Sequence, residues 1–473
     1  MKDRKKPKSE GLDRSLKDRH IQFLALGGVI GVGLFYGASQ AVKIAGPGVL
    51  IAYILAGVIV SIVMRALGEL TVERPIAGSF SRYAYDLLGP RMGFLTGGMW
   101  WFLWVATVMS ELAAIGKLIQ FWFPHFPEWV PGLIALVLFT LSNLMVVKIF
   151  GELEFVFSIL KVLAIIVFMV FGLLMILTGI FNHGNVVGLT NLWAHHGFLP
   201  YGWFGVVQAV SLVIQGYAGI ETLAVEAGES DSPRSSMPKA FRSVTFRVSF
   251  FYIGSIFIML CAYPWTKLIH QDGSPYVLLF TQAGIPLAAS AVNIIIIFAG
   301  LSSCNTGVYG GGRALFTMAN DNMLPKAFSK LSKNQVPYIS IIVTALAMSI
   351  GTIVTYLSPS YVYIWITSAS AFASIFTWAV ILILELIYRH KAKKQGRTFH
   401  YPMPFWPVLP IIGLIMLVLA FVSIVSSPLT RVSVFAGILW LVILLVYYQL
   451  AIAPKHKKEK IMQENSERQT MNG

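Results

Sequence analysis

Two stretches of this sequence put glycine where an apolar helix should run. Leu26-Gly27-Gly28-Val29-Ile30-Gly31-Val32-Gly33-Leu34-Phe35-Tyr36-Gly37 holds five glycines in twelve residues, and such a run serves a continuous helix poorly. Gly27 to Gly31 and Gly33 to Gly37 also keep the G-x-x-x-G spacing of close helix packing, so alone the run has two readings. Gln215-Gly216-Tyr217-Ala218-Gly219-Ile220-Glu221 repeats the interruption in a second apolar segment and adds an amide and a carboxylate. Paired interruptions of this kind point to a binding site built from backbone.

Unwound backbone at bilayer depth is tolerated only where it lines a cavity or meets a ligand. A helix restarting near Gly31 to Gly33 offers free N–H groups and a positive dipole end, which suit a carboxylate. Freed carbonyls in both breaks suit an ammonium group. A site with both is complementary to the zwitterionic end shared by all α-amino acids.

Ionisable side chains inside apolar segments are costly and are functional candidates by default. Lys161, in FSILKVLAI, is one: desolvation disfavours its charged form and would let it load and release a proton, although a lysine there can also snorkel to the inner interface. Glu111, midway along another segment, can carry a proton, contact a ligand, or stay neutral and hydrogen-bonded between helices. Glu221 closes the second break. Ser302, Ser303 and Asn305 add hydroxyl and amide oxygens, either near Lys161 or as interhelical hydrogen bonds. Lys161, Glu111, Glu221, Ser302 and Ser303 are assigned to proton coupling or gating. Cys261 and Cys304 read as small packing residues, and the histidines at 125, 183, 195 and 196 have no metal-site spacing, so no metal is expected.

The elements that must hold these groups are set by composition. Of 473 residues, 56% are hydrophobic and 12% charged, with a mean hydropathy of +0.72; lipid is the solvent for such a chain. Apolar runs predict twelve transmembrane helices, at 21–44, 49–72, 92–122, 129–147, 155–180, 202–227, 246–265, 276–319, 337–357, 362–388, 405–426 and 433–453. The start of the chain is polar and basic, and the first apolar run is too long and glycine-rich for a signal peptide, so no cleavage is expected.

Of the 36 Lys and Arg, only Lys267 and Arg431 fall in outer loops, and Lys43, Arg65, Lys117, Lys161 and Arg313 lie within spans. The rest gather on the other side, so both termini are expected in the cytoplasm. The charge of +15 therefore reads as an orientation signal and a partner for anionic lipid, with no nucleic acid implied. The breaks lie in spans 1 and 6, and an odd offset of five spans means that the second unit enters the membrane from the opposite side. An inverted repeat follows as an expectation.

With those residues in view, the chain resembles the bacterial amino acid transporter family of the amino acid-polyamine-organocation superfamily, near its proline, alanine and other neutral amino acid permeases. The likeness is carried by LDRSLKDRHIQFLALGGVIGVGLFYG, MRALGEL, AGSFSRYAYDLLGP, KIFGELEF, GYAGIETLAVEAGES followed by PKAF, and SPYVLLFTQAGIP before LSSCNTGVYGGGR. The resemblance implies an all-α integral membrane protein with a leucine-transporter-type 5+5 inverted repeat, broken helices 1 and 6, and two accessory helices. On that reading residues 1–20 are a cytoplasmic basic tail, 21–180 and 202–388 the two repeats, 405–453 the accessory helices and 454–473 a cytoplasmic tail.

The same resemblance implies that Gly28, Val29, Ile30, Gly31, Val32 and Gly33 match the segment holding a substrate carboxylate. Gln215, Gly216, Tyr217, Ala218 and Gly219 match the segment facing its amine and side chain. Lys161 stands where related proton-coupled carriers place an amine. Val32 and Gln215 depart from the pattern, which usually has Thr and an aromatic gate residue there; Gln215 can bind a polar substrate side chain or a neighbouring helix.

The implied activity is proton-coupled uptake of a neutral L-amino acid across the plasma membrane, the bacterial inner membrane, by alternating access, as a monomer and with no cofactor beyond the proton gradient. Exchange, a polar, aromatic or basic cargo, an amino acid sensor and a channel are the alternatives. A channel would show a repeated filter loop. A membrane enzyme would show a motif such as H-E-x-x-H or G-x-S-x-G. The sequence has none of these.

Overall fold

The computed structural model describes residues 29–455 apart from 77, 146, 183, 227–232, 269–272 and 359–361. Among the described residues there is no β-strand. The first helices are α1 (Val32–Phe35) and α2 (Gly37–Ala45), and a single 3-10 turn, Gly46–Gly48, leads into α3 (Val49–Glu73). They are followed by α4 (Ser79–Leu88), α5 (Pro90–Ile119), α6 (Trp129–Leu144) and α7 (Val147–Thr178). The second half opens with α8 (Gly202–Gly216), α9 (Thr222–Glu226), α10 (Pro233–Ala262), α11 (Trp265–Leu268) and α12 (Pro275–Gln282). Then come α13 (Pro286–Asn320), α14 (Tyr338–Leu357), α15 (Val362–Lys394), α16 (Val408–Ser426) and α17 (Pro428–Tyr447).

Among the described residues nine helices are long and apolar enough to cross a membrane; the first of them runs from Val32 to Glu73. Trp129–Leu144 and Gly202–Gly216 are shorter apolar helices. Helix α5 is the hub: it packs on α13, α15, α4, α14 and α6. Helix α3 packs on α10 and α8, and α16 and α17 lie outside, against α15. Large apolar residues such as Leu138, Ile353, Val418 and Phe435 stay exposed, as expected where the surrounding medium is hydrocarbon.

Helix ends differ from the sequence reading in a few places. The run at 276–319 is two helices, α12 and α13, because Gly284 and Pro286 interrupt it; proline at the first turn starts a helix readily and cannot continue one. The run at 129–147 stops at Leu144. Helix α4, absent from the list of apolar runs, is an amphipathic helix between the second and third. Its Arg82 Nη1 lies 2.7 Å from Asp321 Oδ1 at the end of α13. Burial pushes the Asp321 carboxyl up, against the pull of the Arg82 guanidinium beside it. Gly28 and the two tails fall outside the described residues.

Candidate functional site

Both glycine-rich stretches abandon regular helix where the sequence placed the breaks. At the first, Gly31 is extended (φ −109, ψ −163) and caps α1, and its N–H turns back to the Val29 carbonyl at 3.0 Å. At the second, α8 stops at Gly216. The chain then passes through 217–221 with i to i−3 bonds, such as Ala218 N to Gln215 O at 3.0 Å and Thr222 N to Gly219 O at 3.1 Å. Gly219 takes φ 94, a conformation that costs glycine least.

The two breaks meet. The Tyr252 hydroxyl, on α10, lies 2.9 Å from the Val29 carbonyl oxygen and 2.7 Å from that of Gly216. One phenolic hydroxyl thus bridges a carbonyl from each interruption, adding to the Gly31 N–H that the Val29 carbonyl already accepts.

On the other side of the first break stands Glu111 of α5, only 2% exposed. Its Oε2 accepts the Val32 N–H at 2.9 Å. This is the opening amide of α1, where the dipole favours an anion. Gly31 leaves the space that the Glu111 carboxyl fills: a methyl group at that position would overlap the carboxyl and make it shift. The amide that the sequence offered to a ligand carboxylate is therefore held by a carboxylate of the protein itself.

Val29, Gly33, Gln215, Gly216 and Ala218 line one small cavity with Glu111 and Ser303. Thr107, which the sequence reading passed over, completes it, and its hydroxyl also pairs with Ser370 of α15 at 2.7 Å. The cavity measures about 10 Å³, room for one water. An amino acid enters only if the surrounding helices part.

Other predicted residues lie outside this cavity. Ile30 and Val32 are buried with side chains in the core. Tyr217 points away, its hydroxyl 3.5 Å from the Tyr53 carbonyl. Glu221 is fully buried with Oε2 3.3 Å from Trp378 Nε1 of α15. Lys161 is fully buried on α7, its Nζ 4.0 Å from Glu154 Oε1, and it feels the charge of Glu111 as well. Ser302 donates to Glu154.

Tyr252 and Glu154 were not found by sequence reasoning. Tyr252 is a lone tyrosine in an apolar helix and gives no signal. Glu154 does give one: it precedes Lys161 by seven residues, two helical turns, which puts both on one face.

The apolar helices agree with what the chain is similar to. It matches the amino acid permease family over residues 20–461. It is 43% identical over 438 residues to a Bacillus subtilis protein named uncharacterized amino acid permease YtnA, covering 92% of this chain and 94% of that one. It is 37% identical over 438 residues to the probable threonine/serine transporter YbxG of the same organism, with the same coverage of both chains. It is 38% identical over 439 residues to the aromatic amino acid transport protein AroP of Escherichia coli, covering 93% of this chain and 96% of that one. These relatives are transporters, not enzymes, and they match this chain nearly end to end. The chain is a multi-pass membrane protein and belongs to the amino acid permease family.

Proposed function

We propose that this permease takes up a neutral L-amino acid together with a proton across the bacterial inner membrane by alternating access. The observation that carries the reading is the bond from the Val32 amide to Glu111, which lines a water-sized cavity. A substrate carboxylate that is to use that amide must displace Glu111. A displaced carboxylate without a partner in a buried site is costly unless it takes up a proton. Substrate binding and protonation are then one event.

The lining supports a neutral cargo. Apart from Glu111 it is uncharged, and Thr107, Ser303 and Gln215 can hydrogen-bond a small polar side chain. A basic cargo would call for a second carboxylate. The relatives named for threonine and serine and for aromatic amino acids frame the range to be tested.

Twelve spans in two inverted repeats, 21–180 and 202–388, with accessory helices at 405–453 and both termini in the cytoplasm, complete the reading. The 42 residues of Val32–Glu73 would extend about 63 Å as one helix, twice the hydrocarbon thickness of about 30 Å. The Gly46–Gly48 turn supports two crossings there. The transporter works as a monomer, and the proton gradient stands in place of any cofactor.

The test is uptake and counterflow in proteoliposomes, with each of the twenty amino acids competing against radiolabelled L-threonine, repeated with a protonophore. Neutral amino acids should compete, counterflow should accelerate exchange, and the protonophore should abolish accumulation. Accumulation untouched by the protonophore would remove proton coupling, and competition confined to lysine and arginine would overturn the neutral cargo.

A further inference from the structure

Glu154, Lys161, Ser302, Asn305 and Thr306 form a second group of buried polar side chains, outside the lining of the substrate cavity. Glu154 and Lys161 share a face of α7, both side chains with zero exposure and Nζ 4.0 Å from Oε1. The same Oε1 accepts the Ser302 hydroxyl from α13. Asn305 and Thr306 of α13 also face the carboxyl, and Asn305 Oδ1 accepts from Asn143 of α6 at 2.9 Å. Lys161 also feels the charge of Glu111, which lines the cavity. Among the described residues, Glu154 Oε2, Asn305 Nδ2 and Thr306 Oγ1 are buried without a hydrogen-bond partner.

The charge count is decisive. Among the described residues, Glu154 and Glu111 are the two carboxylates whose charge acts on the Lys161 ammonium, so with all three ionised they carry a net charge of −1. At this depth that is expensive, and one additional proton removes it. Three groups can hold this proton. Glu111 lines the cavity, Lys161 is 4.0 Å from Glu154, and Glu154 lies two turns nearer the start of α7, the end that the distribution of basic residues assigns to the cytoplasm.

We propose that Glu154 is the inner acceptor of the coupled proton, a role that rests on the proton-coupled reading above. In the transfer an N–H bond of the Lys161 ammonium breaks, its electron pair stays on nitrogen, and the proton forms an O–H bond with the Glu154 carboxylate. The neutral amine is recharged by the proton of a Glu111 carboxylic acid, and Glu154 gives its proton to cytoplasmic water. At 4.0 Å the pair is beyond the roughly 2.6–3.2 Å needed for direct transfer. The closed state is therefore an interrupted relay, which prevents protons from leaking without substrate. Ser302 ties the acceptor to α13, so a shift of α13 against α7 changes the gap.

The experiment compares wild type, Glu154→Gln and Glu154→Asp in proteoliposomes, using an equimolar mixture of the twenty radiolabelled amino acids. Counterflow and accumulation driven by an imposed pH gradient are both measured. Glu154→Gln, which keeps the shape and loses the titrating group, should lower accumulation at least tenfold and counterflow less than threefold. Glu154→Asp should recover accumulation in part, with an altered dependence on internal pH. Wild-type accumulation in Glu154→Gln overturns the assignment, and so does an equal fall of both activities in the two variants, which marks a packing role. Wild type that accumulates without regard to the pH gradient removes proton coupling itself, and with it any acceptor.

Discussion

Tyr252 is the residue on which the pairing of the two breaks depends. Each interruption frees a carbonyl inside the protein, and one hydroxyl serves both, at 2.9 Å from Val29 and 2.7 Å from Gly216. Tyr252→Phe leaves the ring packing, including the contact with Tyr217 at 4.8 Å, and deletes only that donor. The Val29 carbonyl keeps the Gly31 N–H, so the loss falls mainly on the Gly216 carbonyl, and stranding a buried carbonyl costs about 1–3 kcal/mol. The variant should unfold at lower temperature in detergent, and its apparent affinity for transported amino acid should fall about tenfold. Wild-type stability and affinity together would show that the breaks hold their geometry without the bridge. Position 252 shows nothing special along the chain, since its partners are 223 and 36 residues away. Gly31 and Gly216 were legible because glycine inside an apolar run violates helix propensity locally. Glu111 was legible as a costly residue in lipid, but the amide it holds was not: the sequence suggested the amide would await a ligand.

At the scale of elements, the connection between α15 and α16 is strapped across the end of α3. Arg65, Glu69 and Glu73 follow at four-residue spacing and so share one face. Arg65 Nη2 donates to the Pro402 carbonyl at 2.7 Å, with its guanidinium 3.4 Å from the centre of the Tyr401 ring. Glu69 accepts from the Met403 amide and, at 3.2 Å, from Arg389 Nη1. Glu73 accepts the His400 amide at 2.7 Å. Arg389 also lies 4.0 Å from the fully buried Glu385, so it is the cation for two carboxylates. Arg389→Ala should destabilise the protein by about 3–5 kcal/mol, the cost of a buried charge left without its partner. Adding Glu69→Gln should return part of that, and thermal unfolding of both variants reads the difference. A double variant no more stable than Arg389→Ala would mean that packing of the strap, not charge, holds this end. The second span was readable almost to the residue, 49–72 against Val49–Glu73, since Gly46, Pro47 and Gly48 punctuate its start. The eighth was read as one helix across Gly284 and Pro286, because its apolar count masked a turn of three residues. The strap joins positions 337 residues apart, and no local pattern records such a contact.

For the molecule as a whole, orientation decides whether the relay from Glu111 through Lys161 to Glu154 runs inward. Basic residues are held on the cytoplasmic side by the cost of moving them across and by anionic lipid. Lys267 and Arg431 are exceptions too few to reverse the balance. The chain suits a direct test, because its two cysteines, Cys261 and Cys304, are both buried. A membrane-impermeant maleimide should label Lys267→Cys, an exposed position on α11, in intact cells. Lys333→Cys, exposed between α13 and α14, should be labelled only after the membrane is opened. The reverse pattern would place the start of α7 outside, and Glu154 would then face the supply of protons instead of their sink. Orientation rests on charges spread over the loops, whereas direction of proton flow rests on three side chains in one cluster. Only if both read the same way does the inner position of Glu154 follow from the sequence and the fold together.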